Sequence, residues 1–431
     1  MSNPSVVLDQ VEELESRLAA HRAQLYDLAT MGAVITSIPE IDAVLSVVMD
    51  MAIRLVDGEV GSIYLADKDQ LVPKASWGLD DAFVRSIWVD GDHDVISYCQ
   101  THGEGVVLAG SAISSPSAQK VESLLCLPIK ASSTVLGIAV IINKVNGQRF
   151  STEDREKLEI LFNFVAVAIE NSNLMREKLV RQAVEREMTI ARQVQETILP
   201  SDVEPISGVE IGAVYFPARE VGGDFYDVVK IDDHRFYVVL GDVSNKGVPA
   251  ALVMSASSGI IKAVLESHPD IPVNELAERL NELLARDIIK SREMFVTLFF
   301  CKFDLEQKSL TYCNAGHLPG MFWRESEKNV QSLSEGGPIV GQFPGIRFKS
   351  GQRTLETGDR LFLFTDGLTE AADSKGELFG RERAEHVFRA EIGLPPRQFC
   401  ARVKEWVDKF ALGADEDTHD DFTIMQVKAL V

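Results

Sequence analysis

Apolar residues at Val7, Val11, Leu14, Leu18, Leu25 and Leu28 recur at alternating steps of four and three, with His21 in the one polar slot. That spacing predicts a helix over residues 1–29 that pairs in parallel with a second copy as a short coiled coil. An amphipathic helix packed on its own domain would give the same pattern. From residue 30 to 172 the periodicity alternates. A helix over roughly 39–56 precedes the strands "GSIYLAD" and "LVPKASW". A helical patch follows near "DVISYCQTHGE", then the strands "LLCLPIK" and "VLGIAVIINK" and a closing helix from Thr152 to about Asn171, with Ser151 or Thr152 as N-cap. Residues 173–200 contain no Gly and no Pro before Pro200, and Val180, Val184, Met188, Ala191 and Ile198 form an apolar stripe on a charged helix. This predicts a helical linker able to couple two domains, or a passive spacer.

From residue 201 to 431 the texture becomes short apolar strands punctuated by glycine. "EIGAVYFPA", "DFYDVVKI", "RFYVVLGD", "EMFVTLFFCKFD", "SLTYCNAG", "RLFLFTDG" and "FTIMQVKAL" read as strands, interrupted by helices over Pro249–Glu266 and Val273–Lys290, with a third near Pro396–Phe410 before the last strand. The whole chain is therefore expected to be α+β: a sensory sheet domain flanked by helices, then a β-sandwich with helices outside it.

The length of 431 residues suits two or three domains. The net charge of −22 speaks against a nucleic-acid backbone or an anionic membrane as partner, and fits a cation-binding protein. The polar start "MSNPSVVLDQ" does not read as a signal peptide, and no apolar run is expected to span a membrane. Five cysteines (Cys99, Cys126, Cys301, Cys313, Cys400) form no CxxC pair, which points to a reducing cytoplasm. None has an Arg six positions on, so the cysteine-phosphatase nucleophile motif is absent.

Four acidic clusters each sit beside an apolar strand: Asp224 with Asp227 in "VGGDFYDVV", Asp242 in "VVLGDVSNKG", Asp366 in "LFLFTDGLTE", and Asp420 with Asp421 in "THDDFTIMQ". Any one of them reads as a turn. Four together would repel one another unless a cation neutralises them. Carboxylates with little His or Cys nearby select Mg²⁺ or Mn²⁺. Two such ions, roughly 3.5–4 Å apart, can activate a water for attack on phosphorus without a protein nucleophile. The adjacent Gly222, Gly223, Gly241 and Gly367 would let backbone approach the ions, and the Val243 carbonyl is a candidate ligand. "GGDF" also shares three letters with the GGDEF cyclase signature, but Phe225 stands where that signature needs an acid.

In order, "PAREVGGDFYD", "GDVSNKGVPAAL", "NAGHLP", "TDGLTEA" and "DDFTI" resemble the SpoIIE/RsbU branch of the metal-dependent PPM (protein phosphatase 2C-like) serine/threonine phosphatases, over about residues 185–431. The resemblance implies an α-β-β-α sandwich and two Mn²⁺ or Mg²⁺ ions. It implies Asp224, Asp242, Asp366 and Asp420 as catalytic metal ligands, with Val243 and, in reserve, Asp421. Asp227 is expected to act behind the ligands, and Arg219 is a candidate for binding phosphate. His317 is either a proton donor to the leaving oxygen or a loop residue supporting the fold. The implied substrate is a phosphoserine or phosphothreonine on a STAS-domain anti-anti-sigma protein. The helices after "GDVSNKG" would act as a switch, repositioned through residues 173–200 of a homodimer.

Residues 30–172 resemble a GAF domain. "NKVNGQRFSTED" is similar to the NKxnFxxxDE pattern of nucleotide-binding members, through Asn143, Lys144, Phe150 and Asp154, with Arg155 in place of the final Glu. The same letters also read as a turn between a strand and the last helix. Cys99 is followed by Gln, not the His usual beside a bilin-linking Cys. Two other classes compete with an enzyme. A catalytically silent module would capture a phosphoprotein without turnover, and a purely structural signalling dimer would bind no divalent ion.

Overall fold

The computed structural model describes residues 30, 32–35, 40–67, 70–78, 80–89, 93–110, 113–114, 120–132, 134–200, 205–289, 293–413 and 420–431. The coiled coil expected over residues 1–29 lies outside them. The chain divides into two compact units, Met1–Gln182 and Ala183–Val431.

In the first unit the order is α1 (Ile41–Leu55), β1 (Gly58–Asp67), β2 (Gln70–Trp77), α2 (Asp81–Arg85), β3 (Trp88–Val89), β4 (His93–Asp94) and α3 (Val95–His102). It continues with β5 (Val106–Ala109), β6 (Ile113–Ser114), β7 (Ser123–Ala131), β8 (Thr134–Lys144) and the start of α4 (Thr152–Ile198). An antiparallel sheet β2-β1-β8-β7-β5 forms the centre, with β4-β3-β6 as a small separate sheet. Alternation on β8 decides the layering. Ala139 and Ile141 face α1 and α4, packing with Val48, Met49, Leu158, Phe162 and Val165. Ile138 and Val140 face the other side, with Val84, Ile87, Ile96 and Cys99.

The four residues expected to contact a GAF ligand lie near the start of α4, where they make contacts within the protein. Asn143, at φ +57°, accepts the amides of Glu122 and Ser123 and donates to the Lys120 carbonyl. The Lys144 ammonium lies 2.8 Å from Asp154 Oδ2 and 5.7 Å from the Phe150 ring centroid. Asp154 also accepts from the Ser151 amide and hydroxyl, closing the helix N-terminus. Lys144 and Asp154 thus serve each other, and Asn143 serves the backbone of residues 120–123.

The closing helix and the linker are one element. Asn171, Ser172 and Asn173 are mediocre helix formers, but nothing there breaks the hydrogen-bond ladder, and α4 runs 47 residues without interruption. Leu174, Val180 and Val184 are exposed on it. By length and composition alone, α4 and the helix Val248–Ser267 are apolar enough to cross a membrane, contrary to the expectation from the sequence. Each spends apolar positions on a protein core: Leu158, Leu161 and Val165 in one, Met254, Ile261 and Leu265 in the other.

The second unit continues with β9 (Val209–Phe216), β10 (Phe225–Lys230), β11 (Arg235–Val243), α5 (Val248–Ser267), α6 (Val273–Leu283), β12 (Val296–Asp304), β13 (Ser309–Ala315), β14 (Gly320–Arg324) and β15 (Asn329–Leu333). Then come β16 (Gly336–Gly337), β17 (Gly351–Thr354), β18 (Arg360–Phe364), α7 (Asp366–Thr369), α8 (Gly380–Ala390), α9 (Pro396–Phe410) and β19 (Phe422–Ala429). One sheet runs β10-β11-β12-β13-β16, with β17 also on β13, and the other runs β15-β14-β18-β19-β9. Phe236, Val238, Leu240 and Phe299 of the first meet Phe322, Leu361, Leu363 and Met425 of the second. The outer residues Tyr237, Val239 and Phe300 pack under α5 and α6, and Phe362 and Phe364 under α8 and α9. This is an α-β-β-α sandwich. The helix expected over Val273–Lys290 ends its α-geometry at Leu283 and widens into a π-helical turn, Leu284–Ile288. The helix α8 was not foreseen in the strand pattern.

Replacing Asp154 by Ala leaves the mostly buried Lys144 without its partner, so the first unit should lose about 3 kcal/mol. Urea unfolding of the full chain should show an earlier transition for that unit and an unmoved one for the second.

Candidate metal centre

Register brings the first two acids together. Phe225 pairs with Gly241 across β10 and β11, so one step further along the ladder Asp224 comes beside Asp242. On the facing sheet Phe364 pairs with Ile424, and the Thr365 amide donates to the Thr423 carbonyl at 3.0 Å. Asp366 thereby opens α7 at the same end as Asp420, which precedes β19. Both strand pairs end at one edge of the sandwich.

Two hydroxyls connect them. Thr365 and Thr423 both donate to Asp224 Oδ2, at 2.7 and 2.6 Å, from the sheet opposite to the one Asp224 precedes. Asp224 is 1% exposed, and its Oδ1 is buried with no hydrogen-bond partner. Burial first, then the neighbouring Asp242 and Asp421, hold its carboxyl well above the usual range. Burial and Asp366 push Asp242 up to about 7, and burial and Asp420 push Asp366 up to about 6. Carboxylate oxygens of Asp366, Glu370 and Asp420 lie within 4.8 Å of one another. Lys246, on the turn leaving β11, approaches Asp420 at 3.2 Å. An unpartnered buried carboxylate oxygen amid mutually repelling acids, with only oxygen donors around it, fits a hard divalent cation.

The remaining expected residues fall in different places. Asp421 spends both oxygens on backbone: Oδ1 accepts the Ala218 amide, and Oδ2 accepts the amides of Gly223 and Asp224. It shapes the turn that carries Asp224. Asp227 accepts its own neighbour Val228 and pairs with Lys262 of α5 at 3.1 Å. Arg219 is exposed and forms no ion pair with these acids among the described residues. The glycines let backbone approach backbone: a Cβ on Gly367 would lie 2.0 Å from the Asp421 carbonyl, and one on Gly223 would lie 2.8 Å from that of Val243. His317 is buried, with Nδ1 2.9 Å from Thr297 Oγ1 and Nε2 3.1 Å from the Phe364 carbonyl. A carbonyl only accepts, so Nε2 carries the proton, and burial pushes the ring down to about 4. A neutral imidazole with both nitrogens engaged joins the two sheets and is a poor proton donor.

Residues 232–430 match the family described as "Stage II sporulation protein E (SpoIIE)", and residues 40–169 match the GAF domain family. The chain is 30% identical over 258 residues to "Phosphoserine phosphatase RsbU" of Bacillus subtilis, covering 58% of this chain and 72% of that one. It belongs to the RsbU-like SpoIIE family of PPM phosphatases. "Phosphoserine phosphatase RsbP" of Bacillus subtilis is 28% identical over 193 residues, which is 44% of this chain and 46% of RsbP. The "SiaA-PP2C domain of Pseudomonas aeruginosa" superposes with a TM-score of 0.50 at 19% identity, over 58% of this chain and 98% of that domain. That likeness shows the PP2C-like fold.

The SpoIIE match contains Asp242, Asp366 and Asp420 and begins after Asp224. Within this RsbU-like centre, sequence reasoning missed Glu370, Thr365, Thr423 and Gln195. Glu370 stands one helical turn after Asp366 in the quoted "TDGLTE", a spacing that could have marked it. The threonines carry no signal of their own, because only the pairing of β18 with β19 aims them at Asp224. Gln195 of α4 donates to the Gly222 carbonyl at 2.6 Å and accepts its amide at 3.1 Å.

The raised carboxyls predict a pH dependence. An unfolded chain releases these protons near the ordinary 3.8, whereas the fold retains them to about 6 and about 7. The metal-free protein therefore loses stability as pH rises through that interval. A cation held by the ionised acids should oppose the loss. The Tm difference between Mn²⁺ and EDTA samples should widen from about pH 5 to about pH 8. A difference independent of pH would contradict the ionisation scheme.

Proposed function

We propose that this chain is a GAF-regulated phosphatase of phosphoserine or phosphothreonine in proteins, requiring two Mn²⁺ or Mg²⁺ ions. The observation that carries the reading is the buried, unpartnered Oδ1 of Asp224 beside Asp242, at the edge where Asp366 and Asp420 converge. Asp224, Asp242, Asp366 and Asp420 would hold the ions, with the Val243 carbonyl as a further donor and Glu370 as an added candidate. Such ions supply Lewis-acid activation of water and charge stabilisation at phosphorus. Thr365 and Thr423 fix which Asp224 oxygen remains available. Asp421 sets the backbone of the turn, and the neutral His317 ties β12, the strand beside that of Asp242, to the end of β18 that leads into Asp366. The family resemblance supports a STAS-domain anti-anti-sigma protein as substrate. Five free, buried cysteines fit a reducing cytoplasm.

Regulation would pass through the end of α4. Gln195 grips Gly222, two residues before Asp224, while Lys262 of α5 donates to the Ile198 carbonyl at 2.9 Å and pairs with Asp227. The helix end thus rests on the acid-bearing turn and on α5 together. The exposed Leu174, Val180 and Val184 support pairing of α4 with its copy in a homodimer.

Asp366→Asn should abolish Mn²⁺-dependent hydrolysis of p-nitrophenyl phosphate and of a phosphoserine protein while the fold persists by circular dichroism. Binding of a phosphoprotein without turnover by the Mn²⁺-loaded wild type would favour the silent module instead. Gln195→Ala should lower kcat by about ten- to a hundredfold through misplacement of Asp224, while the metal-free Tm stays within about 3 °C of wild type.

A further inference from the structure

A groove of about 380 Å³ opens directly from the acid cluster. One end is shared with the centre: Asp420, Gly367 and Ala218, whose amide Asp421 holds. The other end reaches the C-terminal turns of α9, where Phe216, Phe422, Val407 and Leu412 line it beside the paired Lys404 and Asp408. Its exposure is unusual for such side chains. Phe216 is 48% exposed at the end of β9, and Leu412 is 82% exposed after α9. The two phenyl rings stand 6.4 Å apart, and the Lys404 ammonium sits 4.9 Å from the Phe216 ring centroid and 5.6 Å from that of Phe422. A cation over the rings holds them in place from the α9 side.

Resting on the phosphatase reading above, we infer that this groove seats an apolar side chain of the phosphoprotein substrate, on the chain segment next to the phosphorylated residue. The metal-binding acids can recognise a phosphate, which every phosphoserine carries alike; they leave the flanking residues unread. The groove is the surface continuous with them, and its outer half offers the exposed side chains of Phe216 and Leu412. An extended segment with its phosphate at the acids would run along Gly367 and Ala218, where the absence of large side chains leaves room. A bulky aliphatic residue would then meet Phe216 and Leu412. The occupant is thus a partner polypeptide with a Leu, Ile or Met close to its phosphoserine, bound during turnover.

The test uses the full-length, Mn²⁺-loaded protein and a set of phosphoserine octapeptides. Each carries one Leu among alanines, at positions from three before to three after the phosphoserine, and an all-alanine peptide and p-nitrophenyl phosphate serve as references. At one or two positions on one side of the phosphoserine, Leu should lower KM by about tenfold relative to Ala, the discrimination one aliphatic side chain provides. Phe216→Ala and Leu412→Ser should each remove that preference, with kcat on the all-alanine peptide and on p-nitrophenyl phosphate within about twofold of wild type. Equal KM values for all peptides in the wild type, or a preference that survives both substitutions, would overturn the groove while leaving the phosphatase reading intact. If neither peptides nor p-nitrophenyl phosphate are hydrolysed, the phosphatase reading itself falls, and the groove assignment with it.

Discussion

A carboxylate placed inside a protein without a full set of partners is costly, and the second unit is organised around tolerating one. Asp224 is held at the seam of the sandwich by two threonine hydroxyls that come from the facing sheet. Two hydroxyl hydrogen bonds hold one oxygen; the other has no partner. For those donors to arrive, β18 and β19 must pair in register, and the sandwich must bring their ends against the turn before β10. The packing of Phe236, Val238 and Leu240 against Leu361, Leu363 and Met425 is what sets that distance. Core and site are therefore one problem. A shift of one residue in the β18–β19 ladder would turn the hydroxyls away and face apolar side chains outward.

Much of this was legible in the chain. Glycine-punctuated apolar strands predicted the sandwich, because strands covered on both faces read as nearly unbroken apolar runs, as "RFYVVLGD" and "RLFLFTDG" do. The acids at their ends were visible for the same reason: a carboxylate next to such a run has no obvious structural use. What stayed hidden was anything depending on which strand lies beside which. Thr365 and Thr423 look like ordinary strand residues. Gln195 looks like one more polar position on a charged helix until its carboxamide is found 2.6 Å from a carbonyl in the turn that carries Asp224. Another role hidden in the letters is structural. Within the pattern Asn143–Lys144–Phe150–Asp154, Lys144 pairs with Asp154 at the start of α4 while Asn143 holds the backbone of residues 120–123.

The two ends of α4 are anchored by different means. At its start, Asp154 and Ser151 close the first turn and Lys144 fixes it to β8. At its finish, Gln195 and Lys262 bind it to the turn of Asp224 and to α5. Between these anchors the helix shows solvent-facing aliphatic residues and no glycine or proline. A helix anchored at both ends is stiffer than a loop of equal length, which is what the regulation proposed above requires.

An uninterrupted helix also has a phase. Each residue added or removed between Ser151 and Gln195 would turn everything beyond it by about 100° and move it about 1.5 Å along the axis. Seven residues, close to two full turns, would leave the faces nearly aligned, whereas three or five would not. If the helix couples the units as proposed above, its length matters through its phase. The spacing between the two anchors behaves less like a tether, whose length hardly matters, than like the tooth count of a gear.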